Sequence, residues 1–100
     1  MEVHITESEG TMTARLVGRL DTPASVEVSR EIQPLLDHAS NTLVLDCSEL
    51  TYISSSGLRI FLTLRKAAAA EGGQVVIEGL SSEIRQVFMM TGFLQLFEIR

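Results

Sequence analysis

Three consecutive serines, Ser54, Ser55 and Ser56, stand between an apolar run and a helix-like repeat, and an aspartate, Asp21, closes an earlier run. Their types and placement could do chemistry. The first turn of a helix has backbone N–H groups without intrahelical partners and carries the positive end of the macrodipole. A serine hydroxyl there can accept from one of those groups and cap the helix. It can also carry a phosphate, which the free donors and the dipole would receive. One cap needs one serine, and three are present. Asp21 has three readings: a turn former, a cap acceptor or a functional carboxylate.

Other chemistries lack their residues. A serine nucleophile needs an orienting histidine, and the two histidines lie elsewhere, His4 in the first strand-like run and His38 near a helix end. The serines are outside a G-x-S-x-G frame, and nucleotide, dinucleotide and zinc signatures are missing, so no enzyme activity, cofactor or metal is expected. His4 has no clustered second ligand. Cys47, the single cysteine, has no disulfide partner in the chain and reads as a small buried hydrophobe. The remaining expectation is a domain that binds or is acted on.

The elements that must position these residues follow from periodicity. Thr42 to Asp46 is a short apolar run that suits a strand covered on both faces. Leu58, Phe61, Leu62, Arg65 and Ala68 then recur at helical spacing, predicting a helix over 57–71 that Gly72 and Gly73 stop. The serines therefore fall at its N-terminus. Upstream, residues 2–6 and 12–18 alternate as the two strands of a hairpin around ESEG. Thr22 and Pro23 read as a cap and first helical residue, followed by Val28, Ile32, Leu35, Leu36 and Ala39 on one stripe. Pro34 predicts a kink or two shorter helices near Arg30 to Pro34, and His38 suits a helix C-terminus.

Downstream, QVVIE at 74–78 is a second apolar strand and Ser81 caps a helix that Gly92 ends. Met89 and Met90 read as core or interface filler, and Leu96 to Ile99 as a short edge strand. The order is β-β-α-β-α-β-α-β over residues 1–100, an α/β fold with one domain and a mixed sheet carrying packed helices. In such sheets functional groups lie beyond the carboxyl ends of the strands, where Asp21 and the serines both emerge.

Composition narrows the partners. With 45% hydrophobic and 21% charged residues the chain reads as a folded globule. Its net charge of −5 disfavours nucleic acid and anionic membrane surfaces. Neither a leader pattern nor a run of membrane-spanning length is present, so a cytoplasmic location is expected.

GRLD at 18–21, LVLDCSELTYISSSGLRIFL at 43–62 and the following GG-strand-helix end together resemble a STAS domain, in particular a stand-alone anti-sigma factor antagonist. The resemblance covers nearly the whole chain. It implies a partner-switching protein that binds an anti-sigma factor serine kinase when unmodified and is released by phosphorylation, with a serine phosphatase reversing the step. The family's acceptor is followed by a small residue and Gly-Leu, which selects Ser55, with Ser54 and Ser56 as alternative acceptors. Asp21 matches the acidic loop position beside the acceptor. Asp21, Thr22, Ser54, Ser56, Gly57 and Leu58 are the implied partner-binding residues. Ser54 stands where the best-known antagonists carry aspartate. That departure admits an alternative, a non-switching regulatory or structural subunit of a larger complex such as a lipid-transport ABC system.

Overall fold

A computed structural model describes residues Met1 to Arg100. β1 (Glu2–Ser8) and β2 (Thr11–Leu20) form the hairpin, with Val3 and Ile5 turned inward. The chain continues through α1 (Thr22–Glu31), α2 (Gln33–Asp37), β3 (Thr42–Ile53), α3 (Ser55–Glu71), β4 (Gln74–Glu78), α4 (Ser82–Thr91), a 3-10 turn (Phe93–Gln95) and β5 (Glu98–Ile99). The five strands lie in chain order, the first pair antiparallel and the other three parallel. Parallel neighbours joined in order by crossovers of one hand put every connecting helix on the same face.

The core bears this out. Met12, Ala14 and Leu16 of β2, Leu43, Leu45 and Cys47 of β3, and Val75 and Ile77 of β4 share one face and cluster with Val28, Leu35, Phe61 and Phe88 from the helices. Val44 and Val76 are also buried, on the opposite face, but stand apart from that cluster. The expectation that the β3 run is covered on both faces is thus half met. Val44 is flanked by Thr13 and Val76 in the adjacent strands, whose side chains screen it where helices do not.

The helix after Pro23 is divided as Pro34 requires, with Ile32 between α1 and α2. His38 closes α2, its Nδ1 2.8 Å from the Pro34 carbonyl oxygen. Gly72 holds φ at 79° as the left-handed cap of α3, a conformation that glycine adopts without steric cost. The inward stripe of α3 uses Leu64 where the sequence pattern put Arg65. Arg65 is exposed, and its Nε donates to the Leu96 carbonyl at 2.8 Å. Met89 and Met90 are not core filler: they are 60% and 77% exposed, because the buried stripe of α4 passes through Ile84 and Phe88. The terminal strand is shorter than expected, since Phe93 to Gln95 form the 3-10 turn and pairing with β4 begins at Glu98.

The largest departure concerns β3. It runs to Ile53, seven residues beyond Asp46, its last pairing with β4. From Cys47 onward it pairs with β2 alone, with register shifts between Arg15 and Val17 and between Gly18 and Arg19. Asp46 marks the departure: its Oδ1 accepts from the Ser48 N–H at 3.0 Å and the Ser48 hydroxyl at 2.7 Å. The result is a two-stranded ribbon extending past the paired segment of β4. Both candidate loops lie at its end.

Candidate functional site

Leu20 and Ile53 are the last paired residues of the ribbon, and the Ser54 N–H donates to the Leu20 carbonyl at 2.9 Å. The next residue on each strand is therefore one strand spacing from the other, about 4.8 Å. These residues are Asp21 and Ser54, and each caps a helix. Asp21 Oδ1 accepts from the Ala24 N–H at 2.9 Å at the start of α1, and Ser54 Oγ accepts from the Gly57 N–H at 3.1 Å at the start of α3. The sequence expectation that Thr22 is the cap is corrected by one residue. Asp21 is extended, with φ −86° and ψ −179°, while Thr22 is already the first residue of α1 and exposed. An aspartate is as good a cap acceptor as a threonine or better.

With Ser54 committed to the cap, Ser55 and Ser56 have no such duty. Ser55 is the first residue of α3 and exposed, and neither its hydroxyl nor that of Ser56 makes a hydrogen bond within the chain. Ser56 is half-buried and faces a groove of about 200 Å³ between α1 and α3, lined also by Ser25, Ser29, Arg59 and Thr63. Gly57 and Leu58 are buried, so neither offers a side chain to the surface and both serve to place the backbone. Gly57 does so through close approach: a Cβ there would lie 2.7 Å from Leu20 Cγ and 3.0 Å from Ile53 Cγ1. Only a residue without a side chain lets α3 start directly on the ribbon end.

Two features escaped the sequence reading. Arg19 lies over the Tyr52 ring at 4.3 Å from its centroid, on the ribbon just before the two caps. Arg59 stands a turn beyond the serines with no ion pair among those of the chain. Its signal was present as the i, i+4 spacing from Ser55. Cys47, by contrast, takes no part: burial, reinforced by the Asp46 charge, pushes its thiol up to about 12.

Residues 2–100 match the sequence pattern of the STAS domain. The chain belongs to the STAS domain family. This STAS domain is 30% identical to BtrV of Bordetella bronchiseptica, a candidate anti-sigma factor antagonist, over 99% of the chain and 85% of that protein. It is 22% identical to the anti-sigma-B factor antagonist of Bacillus subtilis, over 99% of the chain and 90% of that protein. Its fold follows the anti-sigma factor antagonist SpoIIAA in its unphosphorylated form, with a TM-score of 0.75 at 20% identity over 99% of this chain and 87% of that one. The structure of a candidate anti-sigma factor antagonist from Thermotoga maritima superposes with a TM-score of 0.89 at 14% identity, over 97% and 84% of the two chains. No helix of this STAS domain is long and apolar enough to cross a membrane.

Proposed function

We propose that this STAS domain is an anti-sigma factor antagonist that binds an anti-sigma factor serine kinase while Ser55 is unmodified and leaves it once Ser55 is phosphorylated. The kinase moves the γ-phosphoryl group of its ATP to Ser55 Oγ, the hydroxyl proton is lost, and ADP departs. A serine phosphatase hydrolyses the ester and restores binding. This reading puts the chain in the cytoplasm, with ATP and the transcription machinery, and assigns it no catalysis of its own.

The observation that carries the proposal is the division of labour among the serines. Ser54 is spent on the cap, and Ser55, next to it, presents an exposed hydroxyl free of hydrogen bonds. The family's aspartate at position 54 would accept the same N–H bond, so serine there keeps the helix start and gives up only a charge. A phosphate at Ser55 adds nearly two negative charges, which oppose an apolar or acidic partner patch while the helix N-terminus tolerates them. Release then comes from lost binding rather than unfolding.

Incubation with the cognate kinase and ATP, followed by mass-spectrometric site mapping, is expected to find the phosphate on Ser55. Ser55→Ala is expected to keep kinase binding and take no phosphate, and Ser55→Asp to bind at least tenfold more weakly. Modification elsewhere, or full binding by Ser55→Asp, would overturn the assignment. Absence of any modification combined with capture of a membrane ATPase would favour the non-switching subunit.

A further inference from the structure

We propose that Arg59 receives the phosphate carried by Ser55, drawing it sideways to the mouth of the α1–α3 groove; this rests on Ser55 being the acceptor. Residues four apart on a helix are surface neighbours, so Ser55 and Arg59 lie one above the other, and Ser56, three before Arg59, shares the groove with it. Arg59 is the single charged residue lining that groove, and it is exposed and in no ion pair. A guanidinium held in that way is available to a doubly charged acceptor, with which it forms paired, charge-assisted hydrogen bonds.

The surroundings leave few competitors. Ser25 donates to the Thr22 carbonyl at 2.7 Å, Ser29 to the Ser25 carbonyl at 2.8 Å and Thr63 to the Arg59 carbonyl at 3.0 Å. Those three hydroxyls have used their protons and offer an anion nothing. The donors left to an incoming phosphate in the groove are the Ser56 hydroxyl and Arg59. The Asp21 carboxylate offers the phosphate no donor, since it is already an acceptor at the start of α1. Attraction from the guanidinium one turn further on therefore sends the group toward the groove. The unmodified protein thus presents a free cation at its binding face, and the phosphorylated protein presents that cation already neutralised.

The test installs phosphoserine at position 55 during translation, so that no kinase is needed, and follows the phosphorus resonance through its second ionisation near pH 6. The helix N-terminus acts on the phosphate equally in every variant, so the difference between variants isolates the arginine. The phosphate of the otherwise unaltered chain is expected to titrate about half a pH unit below that of Arg59→Gln, on the order expected of a surface charge pair. Arg59→Lys is expected to retain part of that shift, and Arg85→Gln, on α4, all of it. Raising the salt to about 1 M should shrink the difference, because the pair is exposed. Identical titration in the unaltered, Arg59→Gln and Arg85→Gln proteins would overturn the assignment. Kinase mapping that finds another acceptor would instead overturn the Ser55 reading, whatever the titration gives.

Discussion

At the scale of single residues, the site is an allocation of hydrogen bonds. Helix-start propensity does not distinguish the three serines and the family motif singles out Ser55, but only the backbone decides that Ser54 accepts from Gly57 N–H while the hydroxyls of Ser55 and Ser56 stay free. The one strongly perturbed group lies away from them. The Cys47 thiol is raised from its ordinary 9.0 to about 12 by burial first and Asp46 second. Below pH 9 both folded and unfolded chains keep that proton, and the full contribution to stability is present. Between 9 and 12 the unfolded thiol ionises and the buried one does not, so the folded chain binds more protons and stability falls as pH rises. Urea unfolding between pH 9 and 11 is expected to show a slope of stability against pH steeper, by about 1 kcal/mol per unit, than in Cys47→Ala. An equal slope in the two proteins would mean that the thiol ionises freely.

At the scale of elements, the β2–β3 ribbon is what brings Asp21 to Ser54, and it was the least legible part of the sequence. The strand over 42–46 was readable because an apolar run is its own signal. Beyond Asp46 the inward positions are Cys47, Leu50 and Ile53, three apart, since the register shifts opposite them break the two-residue alternation by which strands are recognised. The split at Pro34, the Ser81 cap and the βαβ order were legible because each rests on local covalent geometry or a simple period. The close seat of α3 was not, because the contact of Gly57 with Leu20 spans 37 positions of sequence. Gly57→Ala is expected to lower stability by about 1 to 3 kcal/mol, as overpacking does, with an unchanged denaturant slope. Ser56→Ala, one residue away, is expected to stay within about 0.5 kcal/mol. Equal effects of the two changes would show that the ribbon end yields to the added methyl group.

Across the whole molecule, α3, α4 and the C-terminal segment are tied together by the four phenylalanines. Phe61 of α3 meets Phe88 of α4 edge-on at 5.7 Å and Phe97 at 6.4 Å, and Phe93 completes the cluster at 5.8 Å from Phe88. Phe61→Ala is expected to cost about 3 to 5 kcal/mol, a large share of a small domain's stability, and to lower the Tm by more than about 12 °C in a calorimetric scan. The same scan should find Arg59→Gln within about 3 °C of the unaltered chain, since Arg59 is exposed and makes no ion pair. Under the proposed function, the two caps bear on a different matter, the insulation of parallel signalling circuits. Asp21 and Ser54 each hold a helix in place, so a change there that alters recognition also loosens the scaffold. Ser56 and Arg59 carry no such obligation. A cell running several pairs of this kind side by side, or an engineer building one more, has at those positions a dial for partner choice that can be turned without unfolding the protein.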